Sequence, residues 1–355
     1  MDPAPLNSLQ DNAQREAFLM LKKQSCHELS TADNDELGQI AARRQAVYHD
    51  RLRSLEAPFA HLPPLPPALV EYEDTTFGPL EMTFFVWCIE GKKEAVEGYI
   101  EAQEDQASDA LLQRGLASAC ESGQAQVARY LMQKGARVHD VAVKHACSRC
   151  DLALFEAFIE HGWHPNQQIP SFQGHFGVAL LHCTHDLQVV EFLLSHGADP
   201  NLGPFDRSIR GSFGSTSPMN RQSGAALEAA AVCGNIEVID LLLQHGAVLK
   251  WSKPLHAAIS TGETWDRNRP AFLHLLQLGA DPNRNTDIKY GTLWDVGTPL
   301  IWAVRAGNWD AVELLLEAGA YPDLGNFFTC HAGKDDRQKQ VLVINEKVKE
   351  KKNSA

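Results

Sequence analysis

The chain has 355 residues, 44% of them hydrophobic and 22% charged, with a formal net charge of −13. That length can bury a substantial core and exceeds the usual size of one compact domain, and the aliphatic and charge content excludes a mainly disordered chain. The acidic balance argues against a general nucleic-acid or anionic-membrane surface, which needs clustered Lys and Arg, and no run approaches the roughly eighteen apolar residues of a membrane span.

In chain order, Met1 to Gln24 lacks a basic segment followed by an apolar stretch, so no secretory leader is expected. Ser8 to Gln24 reads as a helix with Ala13, Phe18 and Leu21 as apolar contacts, and Asp35 to Leu55 as a second, more polar one. Ala57 to Pro67 holds several prolines and reads as a rigid connection. Residues 1–78 are thus expected to form a helical cap or a partner-recruiting segment. The 8 Cys are scattered rather than arranged in a dense framework. That pattern fits reduced thiols and a location in the cytoplasm or nucleus.

Beyond this leader the sequence repeats itself. The clearest unit is TPLIWAVRAGNWDAVELLLEAGAYPD, Thr298 to Asp323. Its skeleton recurs at Ala225 to Ala247, at Leu187 to Asn201, and in two parts at Lys253 to Gly262 and Leu275 to Asn283. Weaker copies lie at Gly115 to Ala136 and Val143 to Gly162. A small residue precedes a terminal glycine at fixed spacing: Ala119 and Gly135, Ala146 and Gly162, Ala230 and Gly246, Ala303 and Gly319. Leu181 takes that place before Gly197. The copy ending at Gly279 carries extra residues around Thr264 to Arg269, expected to form a bulge between two helices. Leu300 and Ala303 share one helical face, as do Val312, Leu315 and Leu316 on the following segment. Gly319 suits the left-handed position that ends a helix, and Asp-Pro-Asn after Gly197 and Gly279 is turn chemistry. Each unit is therefore two short antiparallel helices, too short to stand alone, which must stack to bury their faces.

These residues resemble the ankyrin-repeat family, whose repeats run about 33 residues with a Thr-Pro-Leu-His-x-Ala opening. TPLIWA at Thr298 and KPLHAA at Lys253 match that opening, and Gly-Ala-Asp-Pro-Asn occurs at Gly197 and Gly279. Six repeats run from about Gly115 to Asp323. A degenerate one at Thr83 to Ala102 has Phe84 and Trp87 in place of the usual Leu and Ala. The resemblance implies an all-α solenoid of stacked helix-turn-helix units with short turn fingers, expected over residues 79–330. It implies a non-catalytic scaffold or adaptor that holds a protein partner on its concave surface, without a cofactor and as a monomer. A ubiquitin-ligase substrate adaptor, recruiting through the N-terminal segment, is one version of that role. Residues 331–355, with seven basic and four acidic side chains, read as a basic, solvated tail.

Finger length points to where a partner binds. From terminal glycine to the next opening apolar residue the family spacing predicts about 14 positions. Two fingers are longer. Asn201 to Gly224 is rich in Gly, Ser and Pro and carries Arg207 and Arg210 interleaved with Phe213 and other aromatic or aliphatic residues. Forked guanidinium groups there suit an acidic or phosphorylated partner. Arg284 to Gly297 offers Tyr290 and Trp294, residue types enriched at interface anchors, and Trp251 in a short finger is a third such candidate. Trp302 and Trp309 are assigned to packing within the last repeat.

One constellation has metal-ligand character. Cys147 and Cys150 in one repeat occupy first-helix positions equivalent to His182 and His185 in the next. Two Cys and two His can hold zinc in a tetrahedron, which would make the chain a metal-dependent regulator or enzyme; against this, small buried residues belong at the Cys147 position. No phosphate loop, HExxH or GxSxG motif occurs in the sequence.

Overall fold

The computed structural model describes residues 62, 65, 77–103, 107–169, 177–204, 221–285 and 297–321. Contacts divide the chain into units 1–61 and 62–355, and every described helix lies in the second. The helices expected at Ser8–Gln24 and Asp35–Leu55, and the tail, fall outside the described residues.

The described residues form seven consecutive helix pairs. The first three are α1 (Pro79–Glu90) with α2 (Lys93–Glu101), α3 (Asp109–Glu121) with α4 (Ala125–Gln133), and α5 (Asp140–Arg149) with α6 (Leu152–Glu160). The fourth joins a 3-10 helix, Ala179–His182, to α7 (Leu187–Ser195). In the fifth, α8 (Ala225–Cys233) meets α9 (Ile236–Gln244). A second 3-10 turn, Leu249–Trp251, leads into α10 (Pro254–Ala258) and α11 (Gly262–Gln277), and α12 (Pro299–Ala306) with α13 (Trp309–Glu317) complete the stack.

The pairs pile in register. First helices pack in the order α1, α3, α5, the Ala179–His182 turn, α8, α10, α12, each touching the next. Second helices do the same from α2 through α4, α6, α7 and α9 to α11. This is the expected all-α solenoid, and its cause is visible at the small positions: Ala119, Ala146, Ala230 and Ala303 are completely buried. A methyl group is what lets neighbouring first helices approach. The bulky first pair is matched from the other side, because a Cβ on Gly115 would lie 2.9 Å from the ring of the fully buried Phe84. Second helices start under side-chain caps: Asp151, Asp186, Asn235 and Asn308 each accept from the backbone N–H three residues on. They end at glycines with positive φ, such as Gly246 at 90° and Gly319 at 89°.

One expectation is corrected. The extra residues around Thr264 to Arg269 form no bulge; they lengthen α11 to 16 residues, with Pro270 inside it. The extension is anchored on the next pair, where the Trp265 Nε1–H donates to Asp310 at 2.9 Å and Arg269 Nε donates to the same carboxylate at 2.6 Å.

Candidate functional site

The fingers are joined by one recurring device. Four residues after the terminal glycine stands an asparagine: Asn166 after Gly162, Asn201 after Gly197, Asn283 after Gly279. Its amide reaches to the next pair and makes two bonds there. Asn166 Nδ2 donates to the Gly197 carbonyl at 2.9 Å, and its Oδ1 accepts from Asp199 N–H at 2.8 Å. Asn201 does the same to Gly246 O and Val248 N–H, at 3.0 and 2.9 Å. Asn283 repeats it on Gly319 O and Tyr321 N–H, at 3.2 and 2.7 Å.

The second and fifth pairs depart from the series: four residues after Gly135 stands His139, whose ring meets Gln113 O and accepts from Ala142 N–H instead. Four residues after Gly246 stands Lys250, which has no carbonyl with which to accept from a backbone N–H. The amide of Asp281, equivalent to those that Asn oxygens take elsewhere, faces a finger without that acceptor. At this junction lies a cavity of about 210 Å³, lined by Leu249, Lys250, Lys253, His256, Asp281 and Arg284 among others. Among the described residues none of its three cations forms a salt bridge. Asp281 adds a carboxylate to the same wall, and Glu228, which feels Lys253 and Arg284, accepts from Lys253 N–H at 2.8 Å and is held above its ordinary pKa by burial. His256 sits 5% exposed, its Nε2 3.1 Å from the Gly297 carbonyl and its Nδ1 buried without a partner among the described residues. Burial lowers its pKa to about 4, with Lys253 and Arg284 pushing the same way. The gap is thus a cationic recess on an acidic chain, with a neutral imidazole in its wall.

Most partner-binding candidates from the sequence lie elsewhere. Arg207, Arg210, Phe213, Tyr290 and Trp294 fall outside the described residues. Trp251 is half-buried at the end of the Leu249–Trp251 turn, in the finger that carries Lys250. Trp302 is half-buried and edge-on to His256, ring centroids 5.6 Å apart. The finger that carries Lys250 is short, so a search for insertions points away from it. The legible signal is instead the residue four places after each terminal glycine.

The Cys/His pairs are rearranged relative to expectation. Cys150 Sγ and His185 Nε2 stand 3.3 Å apart. Cys183, absent from the expected set, is completely buried, and its thiol is pushed up by Cys147 and by burial. Burial lowers the pKa of His182, which ends the 3-10 helix. Among the described residues no three His, Cys, Asp or Glu side chains form a closed set of metal ligands.

Comparison with known proteins agrees with the fold. The family model for the ankyrin repeat matches residues 297–327. Among curated proteins, "Ankyrin repeat protein nuc-2" of Neurospora crassa is 34% identical over 112 residues, which is 30% of this chain and 10% of that protein. The match therefore spans about a tenth of the relative's length. Stacked pairs, glycine-ended helices and this similarity define the class as a helical repeat solenoid. The chain is an ankyrin-repeat protein. Such repeats generally serve protein–protein interaction rather than catalysis. Among the described residues, no helix is long and apolar enough to cross a membrane.

Proposed function

We propose that this chain is a non-catalytic scaffold that holds an acidic segment of a protein partner, whose carboxylate or phosphoryl group enters the gap at Lys250. The observation that carries this reading is the missing asparagine clamp beside a cavity lined by three cations against one carboxylate, Asp281. A carboxylate supplies the acceptor that Lys250 lacks, and its charge meets Lys253 and Arg284 in a partly desolvated setting, where charge-assisted bonds are strong. Trp251 in the same finger, and Arg207, Arg210, Phe213, Tyr290 and Trp294 in the two long fingers, are the further contacts this reading assigns. The scaffold acts as a monomer in the cytoplasm or nucleus.

A peptide array of acidic, phosphorylated and basic sequences, probed with the full-length protein, tests the reading. Acidic or phosphorylated peptides should bind with an affinity that falls as salt rises. The double substitution Lys253→Glu with Arg284→Glu should abolish that binding while circular dichroism stays unchanged. Equal capture of basic peptides, or full retention by the double variant, would overturn it.

A further inference from the structure

We propose that the open side of α1 is a docking surface for an amphipathic helix of a partner protein, one with apolar residues at three- and four-residue spacing, acids in its first turn and bases in its last. Only Glu81, Thr83 and Glu90 in α1 are polar. A helix that is apolar all round belongs inside a core. Phe84, Phe85 and Cys88 are buried accordingly, yet Leu80, Met82, Val86 and Ile89 are between 41% and 68% exposed. Among the described residues, the large apolar side chains exposed elsewhere, Val232, Leu278 and Tyr321, stand on three separate segments. Single exposures of that kind are ordinary, whereas four on one helix make a patch that a partner covers.

Packing within the stack does not require this patch. α1 is already seated by other residues: Phe84 lies over Gly115, Phe85 is edge-on to Phe77 with ring centroids 4.9 Å apart, and Gln124 Nε2 donates to the Ile89 carbonyl at 3.2 Å. Counted back from the left-handed glycine that follows each helix, Gly91 or Gly123, the places of Met82, Val86 and Ile89 are held in α3 by Arg114, Ser118 and Glu121. The stack thus accepts polar residues along that row, and α1 sets apolar ones there, four and three residues apart on one face. A rigid row of this spacing matches the i, i+4, i+7 anchors of an amphipathic helix.

Charge selects the occupant. At the Ile89 end of the row stand two exposed carboxylates: Glu90, and Glu121 of α3 in the place equivalent to Ile89. Exposed Arg114 marks the other end, in the place equivalent to Met82. Among the described residues neither Glu121 nor Arg114 forms a salt bridge, and Glu90 is paired only on the surface, with Lys92 at 2.6 Å. Such an exposed pair rearranges at little cost. The dipole of α1 has the same polarity, positive at Pro79 and negative at Glu90. A helix with acids first and bases last meets both ends when it runs parallel to α1, and that order also suits its own dipole. Carboxylates at the rim disfavour an anionic bilayer, which needs clustered bases. This surface is independent of the recess at Lys250.

Titration of the full-length protein into a fluorescent, side-chain-stapled helical peptide tests the docking. The peptide carries leucine at i, i+4 and i+7, glutamates in its first turn and lysines in its last. Saturable binding by fluorescence anisotropy is expected, and none for a peptide of the same composition with its leucines scattered round the helix. Val86→Glu puts a charge in the middle of the row; at an exposed position, it should keep the helical circular dichroism and weaken binding by about tenfold or more. Glu90→Lys with Glu121→Lys should weaken it by about fivefold, and a peptide with glutamates in its last turn should restore it. Equal binding of the scattered peptide, affinity unchanged in Val86→Glu, or no recovery with the charge-swapped peptide would overturn the proposal.

Discussion

Two junctions in this solenoid differ at the position four residues after the terminal glycine. Between the fourth and fifth pairs, Asn201 bonds Gly246 O and Val248 N–H, closing the fingers on each other. Between the fifth and sixth, Lys250 stands in the equivalent place and a 210 Å³ cavity opens. The backbone frame is the same in both, because each terminal glycine holds a left-handed φ, 87° at Gly197 and 90° at Gly246. In a repeat array, then, a binding recess can be made by omission. Without the structural amide there is room for a cavity, while the stack on either side supplies rigidity.

The largest expected contrast is in pH. His256 lines the open junction, and burial lowers its folded pKa to about 4 from an unfolded value near 6.5. The sign comes from proton counts. Between those values the unfolded chain binds a proton that the folded chain refuses, so stability falls as pH drops from about 6.5 toward 4. For this one group the loss is up to about 3 kcal/mol. Buried His139, His145 and His182 shift in the same direction, so the measurement is the difference between wild type and His256→Leu in urea unfolding at pH 7 and pH 5. Wild type should lose more stability than the variant across that interval. Parallel losses would show that the imidazole is hydrated.

The stack is legible in the sequence because its signals are local. An alanine and a glycine at fixed spacing mark a close helix approach and a left-handed turn, and both can be read from residues within one unit. The clamps are not legible, because Asn201 makes its bonds to residues 45 and 47 positions away. As a string, Asp-Pro-Asn shows only turn chemistry. Cys183 is hidden for a related reason. Repeat phase pairs Cys150 with His185, which do lie side by side, but it says nothing of Cys183, whose burial depends on the 3-10 turn at Ala179–His182. The α11 extension reads as a bulge because its extra residues fall between two helix patterns, whereas its anchors on Asp310 are tertiary.

A smaller effect is expected at the closed junction. Asn201→Ala deletes two hydrogen bonds and leaves Gly246 O and Val248 N–H to partial solvation, which costs about 1–2 kcal/mol. Lys250→Ala at the open junction removes no such bond and should change stability by less than about 0.5 kcal/mol. Urea midpoints of the two variants measured together decide it. Equal midpoints would mean that the Asn amides add nothing to the stack.

The smallest effect is also the most specific. Lys250→Asn places an amide where Asp281 N–H and Gly279 O are set as their counterparts are in the clamped junctions. One or two new bonds should stabilise by about 0.5–1 kcal/mol, with part of the gain offset by ordering the side chain. The same amide would fill the recess and delete one of its three cations, so acidic peptides should bind more weakly as urea resistance rises. A substitution that stabilises a protein while weakening its ligand binding is the signature of a site made by leaving a structural bond out. If Lys250→Asn changed neither stability nor peptide affinity, the cavity would owe nothing to the missing clamp.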